Sequence, residues 1–241
     1  MSSGGESGQA PREAAAGSET AGGTCRRCGT CCRQGGPALH SGDLGLIRSG
    51  ALRREHLVTV RRGELALAPL AREPEPVGSE FLKVRGQGGE WCCLFYDHAS
   101  RGCTIYRRRP VACGLLDCSR PEEILAIAGR DLLTRFDCMA PDDPLLALVR
   151  EHERQCPCPD LARVGERLQS GRQRRETLHW LTGLVSRDLA IRSRAAARHG
   201  LSVELELFCF GRPLFQVLVP LGVVTRESAT GLTLQYGPQG P

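Results

Sequence analysis

The run Cys25-Arg-Arg-Cys28-Gly-Thr-Cys31-Cys32 contains four of the thirteen cysteines in this 241-residue chain. Two residues between successive cysteines allow a tight loop to direct both sulfurs at one centre, while backbone amides turn towards the sulfurs. Gly29 stands where such a loop often needs a positive φ angle. The flanking arginines add positive charge, which favours thiolates over thiols. The run therefore predicts a metal-binding loop.

The two successive two-residue gaps are typical of bacterial ferredoxins, in which the fourth cysteine follows after three more residues. Here the fourth cysteine follows immediately, so the ferredoxin pattern ends at that point. Adjacent cysteines do not easily bind one small ion without strain. We therefore expect Cys31 and Cys32 to face different ways, with one of them serving a second centre or no metal at all.

A second cysteine-rich segment extends from Trp91 to Cys118. Together the two segments resemble the YkgJ-like cysteine-cluster family, also described as a zinc- or iron-chelating domain. The resemblance covers roughly residues 24 to 120. It rests on Cys25, Cys28, Cys31, Cys32, Cys93, Cys103, Ile105, Tyr106, Arg109, Pro110, Cys113 and Cys118. The family often has an arginine directly after the cysteine of its R-P-x-x-C motif, where this chain has Gly114.

The resemblance implies eight cysteine ligands, enough for two four-coordinate centres or for one cluster with spare thiols. They are Cys25, Cys28, Cys31, Cys32, Cys93, Cys103, Cys113 and Cys118. Iron–sulfur clusters take all-thiolate ligands near backbone amides, whereas zinc favours four closed ligands in a structural role. No histidine stands at a spacing that selects zinc, although His98 lies close enough in sequence to approach. An iron–sulfur cluster is the predicted cofactor, with zinc as the alternative.

The expected cellular compartment favours metal binding by these cysteines over disulfide formation. Residues 1–23 contain no apolar run that could form the core of a signal peptide. The longest apolar stretch, Pro213 to Val224, is about half of the roughly 20 residues that a membrane-spanning helix requires. We therefore expect a cytoplasmic protein with reduced thiols and no membrane contact, and closely spaced cysteines in such a compartment bind metal more often than they form disulfides.

The net charge of +5 comes almost entirely from arginine, since Lys83 is the only lysine. Codon composition explains the high ratio of arginine to lysine more simply than selection for an arginine-rich surface does. No known nucleic-acid-binding pattern accompanies the arginines. Nucleic acid is therefore not the expected partner. The chain also lacks the sequence signatures of serine hydrolases, P-loop nucleotide-binding proteins and zinc metalloproteases.

The predicted fold class is α+β. Residues 1–23 form a disordered tail, residues 24–120 a small metal-binding domain, and residues 121–241 a mainly helical region with short strands. In the metal-binding domain, a β-hairpin of Phe81–Val84 and Trp91–Tyr96 should deliver Cys93, after a short helix from Leu44. Helices are predicted from Ile124 to Phe136, from Pro144 to Arg154, and from Pro159 to about Arg198 with a break near Gly171. Strands are predicted from Ser202 to Leu207 and around Leu232–Leu234.

The remaining cysteines are weaker candidates. They are Cys92, Cys138, Cys156, Cys158 and Cys209. Cys156-Pro-Cys158 could present two sulfurs to a metal ion, but the same residues are also typical of a proline-rich helix boundary. Cys209 lies between two phenylalanines and is expected to be a buried thiol, as is Cys138. Arg109, Pro110 and Tyr106 are interpreted as scaffolding of the site.

Three functions stay open on these patterns. The first is a redox or accessory metalloprotein with one or two iron–sulfur centres. The second is a structural zinc module that binds a protein partner through its helical region. The third is a cluster-dependent modifying enzyme, because a related cysteine run occurs in bacterial flagellin lysine methylases.

Overall fold

The structure is a computed structural model that describes residue 25 and residues 27–69, 71–88, 91–228 and 231–237. The predicted tail of residues 1–23 lies outside the described residues. Helices lie at α1 Thr30–Arg33, α2 Leu44–Arg48, α3 Val111–Leu115, α4 Glu122–Ile127, α5 Leu146–Gln155, α6 Leu161–Gln169, α7 Gly171–His199, α8 Val203–Phe210 and α9 Leu214–Val217. Strands lie at β1 Leu57–Val60, β2 Leu65–Ala66, β3 Glu75–Pro76, β4 Phe81–Val84, β5 Tyr96–Asp97, β6 Gly102–Cys103, β7 Val223–Ser228 and β8 Gly231–Tyr236. Short helices and small antiparallel strand pairs confirm the α+β class.

The strands pair two by two within the described ranges. β1 pairs with β4, β2 with β3, β5 with β6, and β7 with β8, all antiparallel. The β1–β4 pair sets Leu57 opposite Val84 and Val60 opposite Phe81. All four of these side chains are apolar, and three of them are buried. This pair therefore anchors the chain that leads into the second cysteine-rich segment.

The predicted hairpin of Phe81–Val84 with Trp91–Tyr96 is wrong in its pairing. β4 pairs with β1, which lies before it in the chain, while the segment Trp91–Tyr96 is bridged at Cys93 to Gly86, just beyond β4. The hairpin of this region is instead β5–β6, with Tyr96 opposite Cys103. The glycine-rich turn after β4 is only a local signal. β1, which lies elsewhere in the chain, gives β4 more buried apolar contact.

The predicted strand from Ser202 is also wrong, because residues 203–210 form helix α8. The Ser202 hydroxyl accepts a hydrogen bond from the Leu205 amide, which caps the helix, and Glu204 and Glu206 lie in its first turn. Carboxylates favour the positive end of a helix dipole, and a serine N-cap satisfies one of the free amides. The capping signal and the packing of α8 against β1 outweigh the alternating pattern.

The helix predicted from Ile124 to Phe136 ends much earlier. α4 stops at Ile127, and Gly129 and Asp131 follow with φ angles of 72° and 47°. Left-handed residues cannot continue a right-handed helix. The long helical region from Leu161 to His199, by contrast, is confirmed, with its break between Gln169 and Gly171.

Two hydrophobic clusters form the core. The first joins residues before and after position 120, including Leu57, Leu82, Val149 and Phe208. The second lies among α6, α7, α9 and the β7–β8 pair, around Leu181 and Leu214. Because the first cluster draws on both halves of the chain, the cysteine-rich segments rest on the helical region. The division into domains at residue 120 stays a prediction.

A buried polar group lies between these clusters and is called the Asp188 cluster here; it consists of His152, Asp188 and Arg192. The Nε2 atom of His152 lies 2.6 Å from Oδ1 of Asp188, and Nε of Arg192 donates to the same oxygen at 3.0 Å. The Leu214 amide donates to the other oxygen, Oδ2, at 3.0 Å. All three side chains of the cluster are buried. The cluster therefore ties α5, α7 and α9 together.

Within the described ranges, no helix combines the length and apolar character needed to cross a membrane.

Candidate metal centre

The first cysteine loop turns sharply at Gly29. Its φ angle is 74°, which confirms the predicted positive φ, and α1 begins at the next residue. A Cβ atom at this position would overlap the Tyr96 ring. The amide of Arg27 donates to the Cys25 sulfur at 3.4 Å, as expected where backbone amides turn towards thiolates. The loop therefore needs glycine for both its angle and its contact with Tyr96.

The two cysteine-rich segments meet through the backbone. The Cys93 amide donates to the Cys32 carbonyl at 2.7 Å, and the Tyr96 amide donates back to the Cys93 carbonyl at 2.9 Å. The β5–β6 pairing then sets Cys103 opposite Tyr96. This succession of short bonds holds Cys32, Cys93 and Cys103 in one neighbourhood, although they are far apart in sequence.

Tyr106 and Arg109 act as the predicted scaffolding. The Arg27 and Arg109 guanidinium carbons lie 4.1 and 4.4 Å from the Tyr106 ring centroid, so the tyrosine joins the first loop to the second segment. Arg109 also donates from Nε to the Cys113 carbonyl and from Nη1 to the Tyr106 carbonyl. Cation–π contacts of this kind contribute about 0.5–1 kcal/mol each at exposed sites.

Asp43 positions the helix that carries Cys113. Its Oδ1 accepts from the Val111 amide at 2.8 Å, at the start of α3, and its Oδ2 accepts from the His40 amide at 2.9 Å. Burial raises the pKa of Asp43, against these hydrogen bonds. The role of Asp43 has no signal in the sequence, because nothing in the local pattern connects it to Val111, 68 residues away.

Six of the predicted ligands form a group, called the thiol cluster here, in which the charge of one thiolate acts on others. Its members are Cys25, Cys31, Cys32, Cys93, Cys103 and Cys113. Cys28 and Cys92 lie at its edge, since the charge of Cys31 acts on Cys28 and that of Cys92 acts on Cys93. A hydrogen bond with Cys32 lowers the pKa of Cys31 to about 6, and the Arg33 charge also lowers it. The same bond, burial, and the charges of nearby thiolates raise the pKa of Cys32. The two adjacent thiols therefore interact directly with each other.

The deeper thiols resist ionisation. Burial raises the pKa of Cys93 to about 11, with further contributions from neighbouring thiolate charges. Burial, and then the charges of Cys93 and other thiolates, likewise raise the pKa of Cys113. Burial also raises the pKa of Cys103, while the Arg109 charge opposes this effect. Several thiolates can coexist here only if a cation compensates their charge, so the donor set fits a metal ion.

Residues 24–130 match one family model, CxxCxxCC, whose description is "Putative zinc- or iron-chelating domain". The segment, which is less than half of the chain, therefore resembles the CxxCxxCC family and is called the CxxCxxCC domain here. No curated protein and no solved structure matches the chain.

The CxxCxxCC domain does not present a finished coordination sphere. Among the residues that the structure describes, no three His, Cys, Asp or Glu side chains form a ready-made metal site.

Two of the predicted ligands lie at the edge of the CxxCxxCC domain. Cys28 is exposed, its sulfur lies 3.4 Å from the Thr30 hydroxyl, and hydrogen bonding with Thr30 lowers the pKa of Cys28. The charge of Cys31 acts on Cys28, which places Cys28 beside the thiol cluster. Cys118 is exposed beyond α3, and none of the interactions given above involves its thiol. The assignment of both as ligands stays a prediction.

The other cysteines divide by environment. Cys209 is fully buried, as predicted, and so is Cys156. The prediction that Cys138 is buried is wrong, because Cys138 is half-buried, as is Cys158. Burial raises the pKa of Cys209 and of Cys158 to about 12. Cys92 differs from these, because its sulfur lies 3.6 Å from Nε2 of His98. Sequence reasoning mentioned His98 but did not pair it with Cys92.

Replacing Gly29 by alanine is expected to destabilise the CxxCxxCC domain by about 1–2 kcal/mol or more, because the left-handed φ and the Tyr96 contact both oppose a Cβ atom. Gly45→Ala is the matched control, since a Cβ at that helical position in α2 meets nothing within 4 Å. Urea denaturation followed by circular dichroism measures the difference. Equal midpoints for the two variants would contradict the importance of the turn.

Proposed function

We propose that this chain is a cysteine-thiolate metalloprotein that carries an iron–sulfur centre in a redox or accessory role. The proposed ligands are the six members of the thiol cluster together with Cys28 and Cys118. The observation that carries the proposal is that cysteines from three separate places in the chain, residues 25–32, 93–103 and 113, interact through their charges. Buried thiols with no ligand role would not need to lie close together in this way.

Three features favour an iron–sulfur centre over zinc. The thiol cluster contains cysteines alone, and iron–sulfur clusters are held by cysteine thiolates. The Arg27 amide bonds to the Cys25 sulfur, and amide bonds to sulfur are among the factors that set the potential of such centres. The charges of Arg33 and Arg109 act on Cys31 and Cys103, which would offset the negative charge of a thiolate-bound centre.

Such a centre, when bound, supplies one-electron transfer. The chain's own residues contribute the environment: Asp43 and Cys32 orient the two cysteine-rich segments, and Tyr96 packs over the first loop. Burial of Cys93 keeps water from part of the site, since only 7% of its surface is exposed.

A structural zinc site is the second candidate, favoured by the sulfur–nitrogen pair of Cys92 and His98, which are ligand types that zinc accepts. In that case the helical region would bind a protein partner. Exposed apolar side chains on α7 and α8 offer contact surface, with Trp180 48% and Val203 70% exposed.

Purification without oxygen, followed by iron, acid-labile sulfide and zinc determination on one sample, tests the proposal. We expect a brown protein with visible absorption and with iron and sulfide in similar amounts. A colourless protein with stoichiometric zinc and no sulfide would replace the first candidate by the second. A reduced protein that retains and takes up neither metal would contradict both.

A further inference from the structure

Cys92 and His98 form a thiol–imidazole pair outside the thiol cluster. The Cys92 sulfur lies 3.6 Å from Nε2 of His98, and the pair stands near the protein surface, with Cys92 half-buried and His98 exposed. The His98 ring also packs edge-on against Tyr96, with their centroids 4.9 Å apart. Tyr96 in turn contacts the Gly29 turn. The pair is therefore adjacent to the first cysteine loop.

The separation of the two atoms is that of two ligands on one metal ion. Zinc binds cysteine sulfur at about 2.3 Å and imidazole nitrogen at about 2.0–2.1 Å in a tetrahedral arrangement. These lengths with a tetrahedral angle place sulfur and nitrogen about 3.5 Å apart. The observed 3.6 Å needs almost no adjustment.

The pair supplies only two ligands, because no third His, Cys, Asp or Glu completes a site among the described residues. Water would fill the other positions, and water exchanges readily for an incoming thiolate. Cys93 follows Cys92 directly in the chain and is buried, at 7% exposure. The charge of the Cys92 thiolate acts on Cys93, so an ion held at the surface by Cys92 and His98 lies near a deeper thiol.

We propose that Cys92 and His98 form an entry site that captures a borderline-soft divalent cation from solution and passes it to the thiol cluster through Cys93. The inference rests on the proposed function, because it assumes that the thiol cluster is the destination. Capture releases the Cys92 thiol proton to solvent and forms the metal–sulfur and metal–nitrogen bonds. In the transfer, Cys93 loses its proton as its sulfur bonds to the ion, and Cys92 regains a proton as its own bond breaks.

Zinc uptake by the full-length, reduced, metal-free chain tests this site. Zn²⁺ serves as the probe, and a chromophoric chelator in a stopped-flow instrument follows its transfer to protein. Cys92→Ser and His98→Asn are expected to slow uptake by about tenfold, the low end of what the loss of a supporting group costs at metal sites. The final zinc content and the affinity by chelator competition should stay at the wild-type values. A merely structural role would not separate rate from affinity in this way.

Cys138→Ser and His179→Asn are the matched controls, since these residues lie outside both sites, and they should load at the wild-type rate. Unchanged rates in Cys92→Ser and His98→Asn would show that the pair is only a hydrogen bond and overturn the inference. A loss of final zinc content in both would also overturn it, by making them permanent ligands. Wild-type protein that takes up no zinc would instead contradict the proposed metal binding itself.

Discussion

Replacement of Cys113 by serine is expected to weaken metal binding by more than about 100-fold. Mutation of groups that only support the ligands already lowers metal affinity by about 10–100-fold, and loss of a ligand should cost more. Cys113 interacts with Cys93, Cys31 and Cys103 and is carried on α3, which Asp43 holds in place. A serine hydroxyl is a poor ligand for metals that prefer thiolates. A ligand at 100 times its dissociation constant stabilises the fold by about 2.7 kcal/mol. Its loss should therefore lower the melting temperature by about 5–11 °C.

Cys138→Ser is the control for this prediction, because Cys138 is a half-buried thiol outside the proposed ligand set. Metal content by elemental analysis and melting by differential scanning fluorimetry are measured on both variants purified side by side. If Cys113→Ser keeps the wild-type metal content, Cys113 is not a ligand and the thiol cluster must be redefined. The melting of metal-free wild type then separates the loss of metal from the loss of packing.

Replacement of Asp188 by alanine is expected to lower the free energy of unfolding by about 3–5 kcal/mol, the usual cost of removing one partner from a buried ion pair. Burial opposes ionisation of Asp188, but the hydrogen bond from His152 and the charge of Arg192 outweigh it and lower the pKa of Asp188. Alanine would leave Nε of Arg192 and the Leu214 amide without their acceptor and would remove the carboxylate nearest to the Arg192 charge. For a chain of this size the melting temperature should fall by roughly 6–20 °C.

Glu176→Ala is the matched control, since it removes an exposed acid from the same helix, α7. We expect a change within about 0.5 kcal/mol for this substitution. Should Asp188→Ala fail to fold, Asp188→Asn keeps an acceptor and is expected to fall between it and the wild type in urea denaturation. An Asp188→Asn protein as stable as Glu176→Ala would show that the charge of Asp188 adds nothing to the fold.

The first cysteine loop could be predicted closely because its determinants are local. Cysteine spacing and the position of Gly29 define a turn within eight residues, and the structure has that turn with φ at 74°. The break between α6 and α7 was equally local. Helix α8 was not predictable from alternation, because Val203, Leu205 and Leu207 suit a strand face while Ser202 and the acidic first turn favour a helix. Packing against β1 decided between them.

The roles of Asp43, Tyr96 and His98 could not be predicted, since each depends on a residue brought near by the fold. Asp43 meets Val111 across 68 positions. Tyr96 covers Gly29 from the second cysteine-rich segment. His98 and Cys92 are close in sequence, but their spacing matches no familiar ligand motif. A spacing rule cannot detect partners that only a folded chain places side by side.

The sequence by itself determined the chemistry of this protein: thiols in a recognisable order, an arginine-rich setting and the turn at Gly29, all of which are properties of residue type and short spacing. Only the tertiary structure decided which thiols share one environment, how deeply Cys93 is buried, and that Cys92 pairs with His98. The physical reason is that electrostatic interaction and burial depend on distance in space. Those distances follow from the β1–β4 pair, the β5–β6 hairpin and the bond from Cys93 to Cys32.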